Sequence, residues 1–596
     1  MKHFCLILGC VTGIVLSSRP SVAQYTANFQ TNTVSGVRSN WAGNYLVGSN
    51  TFADVLLIQN GGVLSNRVGY LGYETNSSNN GVLVNGSGSV WSNTSDLYVG
   101  SSGAGNGLVI SNSGRVFNDY GYVGYKSSSS NNRVLVSSPN SVWSNRGALF
   151  LGYSGSGNSL VISNGSRVID VYSAVGYDSS SGGNTAVITG AGSIWSNPYS
   201  FWMGNSGAGN RLVIRNGGQL YTASAPDRYS FVGSAASSSN NNVLVADTGS
   251  VWRTSSQIYI GVFGSGNSLV ISNGGQVVVE DLNSGGCVGT YSDSSNNRVL
   301  VTDPGSVWSN GGSLFVGQAG SGNSLVVRNG GQVIGAFGCV GSNLNSRGNS
   351  VRMESGGAWR NDTLRVGDQG SSNTMVVAGG SVFTTNLILG FDSADCDNLL
   401  QLDSGNVIVT NAAHNATLEV RNGKFILNGG VLQVDELVIT NSCARFVRTG
   451  GTLILSNLML DPSFDADGDG LPNAWEQSYG LDPLNPADAN VDADRDGFTN
   501  LQEFQAGTDP TNSASVFRVI EIGPDGDDML LTWTAVGGKR YVLQTTTGSS
   551  GSFSNNFDDL NPAIIAPGSG ETEVTVLHLG AATNSPTRFY RVRLMP

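Results

Sequence analysis

Short apolar runs recur through residues 40–460 at near-constant spacing, each closed by a turn rich in Gly, Ser and Asn. The unit Gly266-Asn267-Ser268-Leu269-Val270-Ile271-Ser272-Asn273-Gly274-Gly275-Gln276-Val277 has near copies beginning at Gly157 and Gly322, and looser ones at Gly105 and Gly209. Between the copies stands a second string, Asn296-Asn297-Arg298-Val299-Leu300-Val301 running on to Gly305-Ser306-Val307-Trp308, with relatives beginning at Asn79, Asn131 and Asn241. Both follow one plan: a turn, three apolar residues, a Gly-containing turn, an apolar pair, and an apolar-Gly step. That step runs from Val47-Gly48 and Leu71-Gly72 to Leu389-Gly390 at intervals of roughly 24 or 28 residues, a period that signals a solenoid. Each unit offers about three short strands and no helical periodicity. One unit cannot bury its own apolar face, whereas a stack can. The pattern predicts an all-β chain dominated by a long parallel β-helix (β-solenoid), with about 14 coils, about three shorter ones after them, and a length of about 80 Å at roughly 4.8 Å per coil.

Fixed polar positions sharpen this reading. Asn158, Asn210, Asn267 and Asn323 precede the Leu-Val-Ile or Leu-Val-Val strands, and Asn164, Asn216, Asn273 and Asn329 precede Gly. Asn tolerates left-handed turns, and stacked Asn side chains can hydrogen-bond one another, so these residues are assigned a structural role. Trp91, Trp143, Trp195, Trp252 and Trp308 recur once per double coil, with Phe117, Ile169, Tyr221, Val278 and Ile334 read as their counterparts between. Two arrangements fit: an outward aromatic stripe for sugars or neighbouring rods, or a buried stack. Aliphatic replacement favours burial. Residues 24–39 are expected to cap the first open edge.

Composition narrows the class. Charged residues are only 12%, and the net charge of −12 with a pI near 4.7 argues against nucleic acid as a partner. Residues 1–23 have the form of a secretory signal: Lys2, an apolar run over residues 4–16, and Ser21-Val22-Ala23 at the cleavage position. No later segment has the length and apolarity of a membrane span. Cys5 and Cys10 lie in the signal, Cys287 and Cys339 sit two coils apart, too far for a disulfide, and Cys396 and Cys443 have no assignable partner, so no disulfide framework is expected.

The sharpest chemistry lies beyond the coils. Asp465-Ala466-Asp467-Gly468-Asp469-Gly470-Leu471-Pro472-Asn473-Ala474-Trp475-Glu476 matches the calcium loop D-x-D-x-D-G-x-x-N-x-x-E, and Asp492-Ala493-Asp494-Arg495-Asp496-Gly497-Phe498-Thr499-Asn500-Leu501-Gln502-Glu503 matches it again. Calcium takes six to eight oxygens, roughly the supply of one such loop. Asp465, Asp467 and Asp469 in the first loop, and Asp492, Asp494 and Asp496 in the second, supply carboxylates. Leu471 and Phe498 supply backbone carbonyls, Asn473 and Asn500 act directly or through water, and Glu476 and Glu503 bind through two oxygens. Short helices are expected over 474–479 and 501–506, and Trp475, Tyr479, Phe498 and Phe504 form a small core. Strands over 516–522, 529–533, 540–544, 573–577 and 588–594 predict a terminal β-sandwich. The expected order is signal 1–23, β-solenoid 24–460, paired calcium loops 461–512 and β-sandwich 513–596.

Two resemblances follow from these strings. "GNSLVISNGG" with "SSNNRVLV" and "GSVWSN", and "ATLEVRNGKFILNGGVLQVDELVIT" in the last coils, resemble the repeats of bacterial autotransporter passengers and PEP-CTERM exported proteins. That resemblance implies a secreted or surface β-helix. "DADGDGLPNAWEQSYGLDP" and "DADRDGFTNLQEFQAGTDP" resemble the thrombospondin type 3 and dockerin-like calcium repeats of bacterial exported proteins. The expected function is a non-catalytic surface or extracellular stalk or adhesin with a calcium-stabilised joint, facing polysaccharide or the cell envelope, or associating laterally with its own kind. Two alternatives stand beside it. One is a component of a purely structural surface layer. The other is a β-helix polysaccharide lyase or hydrolase using Asp392, Asp395 and Asp397 with His414.

Overall fold

The computed structural model describes residues 25–222, 228–392, 396–549, 552–553, 555–583 and 587–596. The expected signal segment lies outside the described residues, as does Asp395. The chain divides into two compact units, Met1–Ala444 with Thr449–Met459, and Arg445–Arg448 with Leu460–Pro596.

The first unit is a parallel β-solenoid in which three short strands make each coil. Ser268–Ser272, Gln276–Val279 and Gly286–Val288 form one, and Arg298–Thr302, Val307–Asn310 and Ser313–Val316 the next. Each strand pairs in parallel with its counterpart one coil on: Leu269 with Val299, Val277 with Trp308, Val288 with Val316. The three-residue apolar run is resolved by the period of a strand. Leu269 and Ile271 point in and are fully buried, while Val270 faces out. Thr31–Ser35, inside the segment expected to cap the rod, already pairs with Val55–Gln59 and is the first rung. Towards the end, two of the three strands fuse into single long ones, Thr374–Thr384 and Asn398–Val409.

The interior holds two stacks. Trp91, Trp143, Trp195, Trp252, Trp308 and Trp359 are all buried, so the inward arrangement holds. Their in-register partners are Val116, Val168, Leu220, Val277 and Val333, one place earlier in the chain than the counterparts expected. Phe117, Ile169 and Ile334 are exposed, because the shift of one residue puts them on the opposite face. At about 25 cal/mol per Å2, an indole burying roughly 200 Å2 contributes on the order of 5 kcal/mol.

The second stack is an asparagine ladder at the corner before the first strand. Asn184 donates from its backbone N and from Nδ2 to Asn210 Oδ1 (2.9 and 3.0 Å), and Asn158 donates in the same two ways to Asn184 Oδ1. The series continues through Asn323, Asn349 and Asn373 to Asn398. The apolar-Gly steps serve it: Gly261 has φ +80°, and a Cβ there would stand 2.3 Å from Asn297 Nδ2. Asn164, Asn216, Asn273 and Asn329 take φ between 50° and 54°, the left-handed turn their position before Gly foretells.

One expectation is corrected. Cys396 and Cys443 form a disulfide that closes a separation of 47 residues across the last coils. Cys287 and Cys339, in earlier coils, remain free and buried, as their separation requires.

In the second unit two acidic loops and two short helices, α1 (Asn473–Tyr479) and α2 (Asn500–Ala506), precede a β-domain. Its main strands are β1 (Val519–Asp525), β2 (Asp528–Val536), β3 (Arg540–Ser549), β4 (Glu571–His578) and β5 (Thr587–Met595). They make two antiparallel sheets, β1-β2-β4 and one centred on β3 with β5. Leu531, Trp533, Tyr541, Leu543 and Val574 pack between them, as a sandwich requires.

Candidate metal centre

Each acidic loop is folded by its own side chains. Asp465 Oδ2 accepts from Gly470 N (2.9 Å) and Asp492 Oδ2 from Gly497 N (2.9 Å). The two glycines adopt φ of 99° and 102°, a turn that L side chains rarely make. Asp469 Oδ1 accepts from Leu471 N (2.8 Å), and Asp496 Oδ1 from Phe498 N (2.9 Å). Helices α1 and α2 then carry Glu476 and Glu503 back over the loops, and each ends on a left-handed glycine, Gly480 or Gly507.

This folding uses one carboxylate oxygen of several residues and strands the other. Asp467 Oδ2, Asp469 Oδ2, Asp494 Oδ2 and Asp496 Oδ2 are buried without a hydrogen-bond partner, as are both oxygens of Glu476 and both of Glu503. Glu476 is 0% exposed and Glu503 1%. Carboxylates converge in three groups whose oxygens lie within 4.8 Å of one another: Asp465, Asp467 and Asp469; Asp469, Glu476 and Asp488; and Asp492, Asp494 and Asp496. Burial, reinforced by the neighbouring acids, pushes Glu476 up to about 9 and Asp467 up to about 8. Burial raises Asp469 to about 6 and Glu503 to about 7. Like charges this close oppose ionisation, and a hard divalent cation such as calcium would supply the missing partner for all of them. The donor set, all oxygen and mostly carboxylate, suits that ion.

Asp488 was not legible as a site residue. It stands 12 positions after Glu476, outside the loop motif, in a one-turn 3-10 helix (Asp488–Asn490) that returns it to the first loop. The two asparagines are held differently. Asn473 Oδ1 accepts from Ala466 N (3.0 Å) and its Nδ2 donates to the carbonyl of Asp461 (2.7 Å), so this side chain braces the loop. Asn500 donates in the same way to the carbonyl of Asp488, but its Oδ1 is buried and unpartnered. Trp475 packs on Tyr479 and Phe504 at 4.8 and 5.3 Å between ring centroids, and Phe498 is half-buried.

Elsewhere, two residues of the acidic group named for the alternative enzyme reading have local partners. Asp397 accepts from the backbone and hydroxyl of Ser372, and His414 pairs with Asp435 at 3.6 Å. An outward aromatic file does exist, built from the residues just before the apolar-Gly steps. Tyr70 stacks on Tyr98 (4.9 Å, 8°), Tyr98 on Tyr122 (4.8 Å, 6°) and Tyr122 on Phe150 (5.3 Å, 11°). Their faces are occupied by each other, and Tyr73, Tyr125 and Tyr153 make T-shaped contacts with them, so the file is a poor platform for sugars.

A β-solenoid followed by paired acidic loops, each closed by a helix, defines a repeat protein with a thrombospondin type 3-like calcium module. The Bacterial TSP3 repeat family matches residues 465–486 and 492–513, the two loop-helix segments just described. No curated protein matches the chain.

Proposed function

We propose that this protein is an exported, non-catalytic stalk or adhesin of the bacterial surface or exterior, whose acidic loops form a calcium-stabilised joint. The observation that carries the joint is the complete burial of Glu476 and Glu503 with all four carboxylate oxygens unpartnered. Such groups destabilise a fold that has no cation for them. The ligands are Asp465, Asp467, Asp469, Glu476 and Asp488 in the first loop, and Asp492, Asp494, Asp496, Asn500 and Glu503 in the second. The backbone carbonyls of Leu471 and Phe498 complete the two sets.

Export is supported by the signal-like residues 1–23 and by the Cys396–Cys443 disulfide, since such bonds persist in oxidising compartments. A stalk is supported by the uniform coil register, and the resemblance of the repeats to those of autotransporter passengers and PEP-CTERM proteins points the same way. Limited proteolysis of the mature chain in millimolar calcium and in EDTA tests the joint: cleavage within residues 461–512 should be confined to EDTA. Equal cleavage in both would reject it.

Lateral packing is a second reading, favoured by one observation. The outward position of the first strand is aliphatic in eleven successive coils, from Leu57, Leu83 and Val109 through Val213 and Leu244 to Leu300 and Val326. Thr33 bounds the file at one end and Arg352 at the other. Sedimentation of the full chain against Val161→Lys tests it, since a charge mid-file would dissolve any assembly that uses this face.

A further inference from the structure

The acidic positions of the two loop segments correspond at a spacing of 27 residues, and the correspondence fails at one of them. Asp482 N donates to Asp488 Oδ2 (3.0 Å); 27 residues on, Asp509 N donates to Ser515 Oγ (2.8 Å). Asp482 and Asp509 likewise each accept from a backbone N–H two residues on, that of Leu484 and of Thr511. Ser515 is thus the structural counterpart of Asp488, and both are buried, at 1% and 9% exposure. At the first loop, the Asp488 carboxylate stands with those of Asp469 and Glu476, and its other oxygen, Oδ1, is buried and unpartnered. A serine has no second oxygen to offer. Its hydroxyl instead donates to Glu571 Oε1, on the first residue of β4 in the β-domain.

We propose that Glu571 is a positioning residue for the second calcium loop, supplying from the β-domain, across the Ser515 hydroxyl, the negative charge that Asp488 supplies directly at the first. This rests on the calcium reading above. Two observations give it a physical basis. Glu503, the closing carboxylate of the second loop, is buried with both oxygens unpartnered, so that loop too is built around a cation. The β-domain is held against α2 by a second tie, from Lys539 Nζ to the carbonyl of Gln505 (2.8 Å), which keeps Glu571 in reach. The first loop then has five carboxylates of its own and the second four, with a fifth one hydrogen bond away. Since charge count tunes calcium affinity, the second loop is the weaker site, and its occupancy is linked to the folding of the β-domain.

Calorimetric titration of the full mature chain with calcium chloride tests this. Glu476→Gln and Glu503→Gln assign the two binding events to their loops. Glu571→Gln is then expected to weaken the second event about three- to tenfold while leaving the first unchanged, the scale of one screened charge. Adding Ser515→Asp in that background should restore it, because the missing carboxylate is rebuilt in place. Thermal melting of the β-domain provides a second readout: calcium should raise its midpoint in the wild type and much less in Glu571→Gln, whose midpoint in EDTA shows whether the variant folds. A second event within twofold of wild type in Glu571→Gln, with the calcium-induced rise intact, would overturn the inference while both loops still bind. Absence of calcium uptake by either loop would instead overturn the function proposed above.

Discussion

Asn500 donates from Nδ2 to the backbone carbonyl of Asp488 at 2.8 Å, while the carboxylate of Asp488 turns into the other loop, beside Glu476. One residue therefore braces the second loop with its main chain and charges the first with its side chain. The loops, 27 residues apart in sequence, share a structural element and are not independent beads.

Asp488→Asn separates the two roles, since it removes the charge and keeps the carbonyl. Calcium affinity at the first loop should fall roughly tenfold or more, because hard cations respond to the number of charged oxygens. The second loop should keep its affinity. Titration calorimetry reads both at once, and a matched loss at both loops would mean that the side chain acts on the shared scaffold.

Asp170 interrupts an internal amide series. Trp91 Nε1 donates to Asn66 Oδ1 and Trp143 Nε1 to Asn118 Oδ1, and Trp195 Nε1 donates to Asp170 Oδ2 at 2.7 Å. Asn66 and Asn118 go on to donate to Asn93 and Asn145; a carboxylate cannot, and Asn197 Oδ1 is left unpartnered. Burial pushes Asp170 up to about 8, against hydrogen bonds from Ser173 and Trp195. An acid whose folded pKa is raised binds its proton more tightly when folded, so solenoid stability should fall as pH climbs from about 4 to about 8 and then level off. Asp170→Asn should flatten that slope and gain about 1–3 kcal/mol at pH 8. Urea unfolding at pH 5 and pH 8 decides it, and a slope unchanged in the variant would remove Asp170 as its source.

The disulfide closes 47 residues in the last coils. The loop-entropy relation puts the stabilisation from such a closure at about 4 kcal/mol. Cys443→Ser should therefore speed amide exchange in residues 396–443 before it affects the central coils. A variant whose exchange rises evenly along the rod would mean that the coils unfold as one.

The asparagine ladder predicts a large effect from a small deletion. Asn184→Ala strands the backbone N and Nδ2 of Asn158, both buried, at about 1–3 kcal/mol for each group. Ser180→Ala, on an exposed turn in the same coil, should change stability by less than about 0.5 kcal/mol. Comparable losses for the two would show that the ladder carries no special share of the stability.

The sequence by itself determined the solenoid, because strand period, turn chemistry and repeat length are local and recur in every coil. Gly261 and Asn273 could be assigned to turns from their immediate neighbours. It also determined most of the candidate metal centre, since Asp465 to Glu476 and Asp492 to Glu503 are contiguous and their spacing is the chemistry. What only the tertiary structure decided depends on residues far apart in the chain. Whether Trp143 or Phe117 faces inward turned on a register difference of one residue, which reverses the face of a strand. Cys396 met Cys443 through fused strands that broke the repeat. Asp488 entered the first loop, and Glu571 reached Ser515, by backbone turns and sheet order that leave no fixed spacing to read. A local pattern specifies a local element; which carboxylates share one cation's surroundings is set by how those elements pack.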